Sequence, residues 1–203
     1  MSEFPVDDGV IKYRAVHENS SLSTHPLLSQ LDDARTELYD FGLIGVYSNG
    51  IGYGNVSVRH HAGCIISGTA TGGHRILGEK QYCSVLDFDI NRNIVYTKGP
   101  VAASSESMTH CAIYQANPLI ECVLHVHSRK LWLRLLDEGY PFTSADIPYG
   151  TPQMAQGMVS LVKGHATPFG LLVMAGHEEG IVAYGQTISS ALNQIKVLLD
   201  LKV

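Results

Sequence analysis

Apolar residues recur at helical spacing in some stretches of the chain and alternate with polar ones in others. Pro26 is expected to open a helix: Leu27, Leu31, Ala34, Leu38 and Phe41 fall on one face at a period near 3.6, and Gly42 supplies a stop. The spacing predicts a second helix over 104–115 (SSESMTHCAIYQ), with Met108, Cys111 and Ala112 inward. There Ser104 or Ser105 can cap, and Glu106 falls in the first turn. Further helices are predicted over 130–137, from Thr151-Pro152 with Ala155, Met158, Val159 and Val162 inward, and over 187–201 on a stripe of Ile188, Leu192, Ile195 and Leu199. Between Gly42 and Gly73 glycine recurs every few residues, and short β-like runs appear at 55–59 (NVSVR) and 64–66 (CII). Strands are also predicted at 84–89, 94–97, 120–127, 170–176 and 180–185. The start of the chain is weakly patterned, and HENSSLSTHP reads as a loop. With no repeat or linker, the expectation is one mixed α/β domain over 1–203, residues 1–25 forming an N-terminal arm. An antiparallel-leaning sheet would be covered by helices.

Composition narrows the function classes. The 203 residues are 45% hydrophobic and only 16% charged, enough for a sizeable core. The net charge is −5 and no Lys/Arg run occurs, so the basic stripe of a nucleic-acid binder is missing. The longest apolar runs, such as LLVMA at 171–175, are too short to span a bilayer, and MSEFPVDDGV does not read as a signal peptide. Cys64, Cys83, Cys111 and Cys122 show no CxxC spacing. They read as reduced, mostly buried thiols of a cytoplasmic protein.

The candidate chemistry centres on CVLHVHS, residues 122–128. Residues two apart on a strand share a face, so His125 and His127 point the same way and could chelate one divalent cation. Zinc, the usual occupant, needs a third protein ligand and keeps an open position if catalytic. His177 in AGHEEG follows an apolar strand and is flanked by glycines, where a side chain emerges at a sheet edge. Glu106 lies one helix upstream of the His-x-His strand, so the returning chain brings it back toward the histidines. Three histidines and a carboxylate would then surround one metal, with Glu178 and Glu179 as alternative ligands or a solvated pair. His60–His61 are strand neighbours facing opposite ways, and His74 reads as a loop residue. Asn55 after a glycine, the SGTATGG turn (67–73), and Ser104 with Ser105 can each bind an anion. Taken singly, each of these features is ordinary strand, turn or cap chemistry. Neither a P-loop nor a dinucleotide fingerprint is present.

Together these residues resemble the class II aldolase/adducin family. GNVSVR, ISGTATGG, SSESMTHCAIYQANP, VLHVHS and GHEEGIVAYG stand in that family's order and rough spacing, over about residues 27–201. The resemblance implies a three-layer αβα sandwich with a central, mainly antiparallel sheet, often a homotetramer with the active site between subunits. It implies His125, His127 and His177 as metal ligands, Glu106 as general acid/base, and Asn55, Ser104, Ser105 and the 67–72 turn as phosphate contacts. Within that turn Thr69-Ala70 and Thr71-Gly72 compete for one position of the family pattern, and Tyr140 and Tyr149 compete as the catalytic tyrosine. GHEEG departs from the pattern, because many members carry glycine directly after the histidine. The implied activity is aldol cleavage or formation in a small, phosphorylated sugar. One divalent ion per subunit, zinc with manganese, iron or cobalt as alternatives, would stabilise an enediolate. Dehydration or 4-epimerisation of a ketose phosphate reuses that chemistry. An adducin-like interaction module without catalysis is the reading from a different class.

Overall fold

The computed structural model describes residues 10–200 except 23 and 166. The elements are β1 (Arg14–Asn19), α1 (Leu28–Asp40), β2 (Gly45–Val46), β3 (Gly52–Tyr53), β4 (Asn55–His60), β5 (Gly63–Ser67), β6 (Tyr82–Asp89), β7 (Ile94–Gly99), α2 (Ser107–Ala116), β8 (Cys122–His127), α3 (Arg129–Asp137), α4 (Pro152–Gly164), β9 (Gly170–Val173), β10 (Gly180–Gly185) and α5 (Ile188–Asp200).

Eight strands form one sheet in the order β1-β7-β6-β5-β4-β8-β10-β9, and β2 with β3 makes a separate hairpin. Among the described residues of the large sheet, only β1 and β7 pair in parallel as strands. Helices cover both faces, giving the three layers of an αβα sandwich, with a core on each side of the sheet.

Strand β8 shows how the sequence sorts residues between these layers. Cys122, Leu124 and Val126 pack with α1, α3 and α5, while Val123 packs with α2 and α4. His125 and His127 share the face of Val123, so the same alternation that builds two cores delivers two imidazoles to one of them. Asn55 of β4 pairs with His125 on one side, and Gly180 and Val182 of β10 pair with His127 and His125 on the other.

The helices follow their patterns with local corrections. In α1, Leu31, Ala34 and Leu38 are buried, but Phe41 is 47% exposed, because the chain turns at Gly42 (φ +70°) before its side chain reaches the core. Pro26 does not open the helix; it begins at Leu28. Helix α2 is buried on all sides from Ser107 to Tyr114, wedged between the sheet and α4. Its N-cap is Glu106, not Ser104 or Ser105, and Glu106 makes no side-chain cap hydrogen bond. The expected cap serines lie in the preceding turn, where Tyr13 Oη and Ser107 Oγ both donate to Ser104 O. Thr151 caps α4 as expected, accepting from Met154 N at 3.2 Å with Pro152 next.

Residues 14–19, expected to lack an element, form the edge strand β1. All six are exposed, so no burial alternation marked them. The predicted strand over 170–176 stops at Val173, since Met174 N bonds Gly180 O and the chain turns toward His177. The predicted strand over 120–127 likewise begins only at Cys122. The predicted end of the last helix at residue 201 lies outside the described residues. All four cysteines are free and buried. No described helix is long and apolar enough to cross a membrane.

Helix α1 also anchors the glycine-hydroxyl turn. Arg35 is 1% exposed, and its guanidinium donates to Thr71 O at 3.0 Å and to Arg75 O at 3.2 Å. Replacing it strands a buried carbonyl and loosens the turn from α1. Arg35→Met is therefore expected to lower stability by about 2–4 kcal/mol in urea unfolding. Arg35→Lys, with one donor head, should recover only part of the loss.

Candidate metal centre

His125, His127 and His177 are buried, and one ligand nitrogen from each lies within 4.8 Å of the others. His125 and His127 come from β8, and His177 from the turn between β9 and β10. That turn is closed by His177 N donating to Met174 O (3.0 Å) and Gly180 N donating to His177 O (2.9 Å). Gly180 is required for closeness: a Cβ there would stand 2.7 Å from His177 Cδ2 and 3.2 Å from His125 Cε1.

The ring nitrogens are assigned by their partners. His125 Nδ1 lies 3.2 Å from Ile181 O, and a carbonyl only accepts, so Nδ1 carries the proton and Nε2 presents a lone pair. His127 Nδ1 lies 2.8 Å from Tyr47 Oη, which itself donates to Glu179 Oε2 at 2.9 Å. The single phenolic proton is committed to the carboxylate, so His127 Nδ1–H donates to Tyr47, and its Nε2 again presents the lone pair. The two Nε2 atoms stand 3.0 Å apart. Zinc–nitrogen bonds of about 2.0–2.1 Å in a tetrahedral shell put ligand atoms roughly 3.3 Å apart. His125 and His127 therefore fit a divalent cation in tautomer and spacing, and His177 adds a third imidazole within 4.8 Å of them.

Burial holds all three imidazoles in the neutral, coordinating form. His125 is lowered to about 4 by burial, which outweighs the opposing effect of its bond to Ile181 O. His127 and His177 are driven well below the usual histidine range, first by burial and then by neighbouring charge.

One cavity collects the remaining sequence candidates. Its walls include Asn55, Thr69, Thr71, Gly72, Ser104, Ser105 and Glu106 together with the three histidines. Glu106 is 2% exposed at the N-terminus of α2. Asn55 Oδ1 is buried without a hydrogen-bond partner, an acceptor available to a ligand. The Thr71 hydroxyl donates to Gly68 O at 2.8 Å, so that proton is not available to an anion. Both pairs left open in this turn, Thr69-Ala70 and Thr71-Gly72, lie in the cavity wall.

Of the two candidate tyrosines, Tyr149 is at the site and Tyr140 is not. The Tyr149 ring lies 4.6 Å from His177, and its hydroxyl meets the backbone of Val10. Tyr140 packs against the opposite core. The glutamates after His177 do not join the histidine cluster: Glu178 pairs with Arg129, and Glu179 takes the Tyr47 hydrogen bond. His74 is exposed. His60 meets His25 edge-on at 5.3 Å, and its ring lies 4.1 Å from that of His61, away from the cavity. His61 does not face the opposite way as expected, because the strand ends at His60 and His61 turns at φ +53°. Tyr47 and Tyr53, on the short hairpin, flank His127 and were not singled out, because nothing in the sequence links residue 47 to residue 127.

Comparison with known proteins follows the same lines. Residues 37–201 match the class II aldolase and adducin N-terminal domain. The chain belongs to this family. An L-fuculose-1-phosphate aldolase from Thermus thermophilus superposes with a TM-score of 0.62 at 19% identity, covering 86% of this chain and 89% of the other. Another L-fuculose 1-phosphate aldolase gives 0.64 at 19%, covering 88% and 84%. A sugar-phosphate aldolase from Thermotoga maritima gives 0.63 at 16%, covering 84% and 89%. At such identities the likeness is one of fold. Comparison with curated proteins gives no match.

The depressed histidines of this class II aldolase/adducin domain set a pH dependence. The unfolded chain binds protons at His125 near pH 6.5, whereas the folded chain refuses them until about 4. Stability of the metal-free protein is thus fully present above about pH 6.5 and is lost as pH falls through the window down to about 4. Urea midpoints should therefore fall as the pH is lowered from 6.5 toward about 4. A His125→Gln variant should show a flatter acid limb.

Proposed function

We propose that this protein is a metal-dependent aldolase of a small phosphorylated sugar or related hydroxy-carbonyl compound. The observation that carries the reading is the convergence of three buried imidazoles, a buried carboxylate and a wall of hydroxyls and backbone on one cavity. A scaffold without catalysis has no need for three buried histidines, each costly to desolvate, with a ring nitrogen of each within 4.8 Å of the others.

His125, His127 and His177 would hold the cation. A divalent ion there, zinc in the first place and manganese, iron or cobalt as alternatives, supplies Lewis acidity toward adjacent carbonyl and hydroxyl oxygens. Glu106 takes a proton from, or returns it to, the substrate at the reacting carbon or its oxygen. The Asn55 amide NH2, the Ser104 and Ser105 hydroxyls and the backbone around Thr69, Thr71 and Gly72 bind the anionic end of the substrate, while Asn55 Oδ1 accepts from a substrate hydroxyl. Its binding energy then holds the reacting carbons in register. The Tyr149 hydroxyl, engaged by Val10 backbone atoms, fixes the ring against His177. Dehydration or 4-epimerisation of a ketose phosphate would use the same residues and is distinguished by product. In keeping with the family fold, the working form is taken to be a homotetramer in the cytoplasm.

Elemental analysis of the purified protein is expected to give about one divalent ion per chain, lost in His125→Ala/His127→Ala. The loaded enzyme should cleave a phosphorylated ketose in a panel scored for cleavage, dehydration and epimerisation. Glu106→Gln should keep the metal yet lower kcat by about 10²–10⁴-fold. A wild type that stays metal-free after incubation with zinc, manganese and cobalt removes this reading and favours a non-catalytic module.

A further inference from the structure

Beyond the metal-facing nitrogens, a second layer of hydrogen bonds stands behind His127. Tyr47 Oη lies 2.8 Å from His127 Nδ1 and donates to Glu179 Oε2 at 2.9 Å. Two separate loops meet to make this chain of contacts. Tyr47 is carried by the β2–β3 hairpin, whose turn is closed by Tyr47 N donating to Ile51 O (2.8 Å) and Gly50 N donating to Tyr47 O (2.9 Å). The hairpin root is bonded to the ligand strand itself, with His127 N donating to Leu43 O at 2.9 Å. The Tyr53 ring lies tilted 4.4 Å from Tyr47 and 5.6 Å from His127, which restricts how either can swing.

Glu179 comes from the turn that also carries His177. Its carbonyl accepts from Ser128 N at 3.0 Å, next to His127. Glu179 holds φ at +72°, a left-handed conformation that suits glycine and costs a side-chain residue of the order of 1 kcal/mol. Glycine would be the cheaper residue for the turn, so something other than backbone economy keeps a glutamate there. Its neighbour Glu178 faces outward to Arg129, so the two glutamates do different jobs.

We propose that Tyr47 and Glu179 are positioning residues for the metal ligand His127. They hold its Nδ1 protonated and its ring fixed, so that Nε2 is permanently offered to the cation. The carboxylate passes its negative charge through the phenol to the imidazole, which raises the basicity of the coordinating nitrogen. The inference deepens the metal reading of the histidine cluster and rests on it.

The test uses the full-length protein with cobalt(II) as probe, whose visible spectrum reports the ligand field, and long-range ¹⁵N–¹H spectra of the metal-free protein, which report the His127 tautomer. Tyr47→Phe and Glu179→Gln should each weaken cobalt binding by about 10–100-fold and shift the visible bands. The double variant should be little worse than the weaker single one, because both act through one chain of bonds. The tautomer signal should move from Nδ1-protonated in wild type to a mixture in Tyr47→Phe. Glu179→Gly separates positioning from folding. It relieves the positive φ and should unfold no more easily than wild type, yet bind cobalt more weakly. Wild-type cobalt binding with unchanged affinity and spectrum in all three single variants overturns the clamp and leaves the metal site intact. Affinity that falls only in step with stability also overturns it. A wild type that binds no cobalt overturns the metal reading and the clamp together.

Discussion

The structure depends on where the protons of buried imidazoles sit. His125 and His127 place their Nε2 atoms 3.0 Å apart in the interior. Both Nδ1 atoms are committed elsewhere, one to the Ile181 carbonyl and the other to the Tyr47 hydroxyl. Two lone pairs facing each other repel, and desolvation forbids the easy remedy of charging the rings. A bare arrangement of this kind is costly, whereas a cation shared between the lone pairs makes it favourable. The surrounding fold can be understood as the set of devices that tolerates this cost.

Each device traces to a simple local rule. Alternation along β8 puts Leu124 and Val126 into one core and both histidines into the other. Gly180 on the neighbouring strand leaves room for His177 to enter beside them. Glu106 is the N-cap of α2, so the carboxylate stands at the cavity rather than inside a helical turn. Arg35 on the far layer ties α1 to the Thr71 carbonyl and so stiffens the turn opposite Glu106. The carboxylate and hydroxyls of the cavity wall therefore sit on elements braced from both layers of helices.

Much of this was legible in the sequence where periodicity and capping carry the signal. The alternation of CVLHVH, the Thr151-Pro152 helix start and the Gly42 stop needed no tertiary information. Other features were set by contacts that no local pattern encodes. Strand β1 is exposed throughout and owes its place to pairing with β7. The run of serines before α2 offered two good caps, but Tyr13 and Ser107 hold the Ser104 carbonyl in a turn, and the cap position falls to Glu106. Strands β2 and β3 have two residues each, too few for any period, so Tyr47 stayed hidden. Tyr149 and Tyr140 looked alike in sequence and were separated only by which core each faces. The clustering of Asn55, Glu106 and the three histidines could be expected from the family resemblance, and the structure brings them to one cavity.

Membership of the class II aldolase/adducin family leaves both catalytic and non-catalytic descendants of the fold open. The histidine geometry is what favours catalysis. The most direct measurement is X-ray absorption at the zinc edge of the zinc-loaded protein. The account predicts three imidazole nitrogens at about 2.0–2.1 Å with one further light ligand completing the shell. A protein that retains no zinc, or a zinc shell without imidazole, would contradict it.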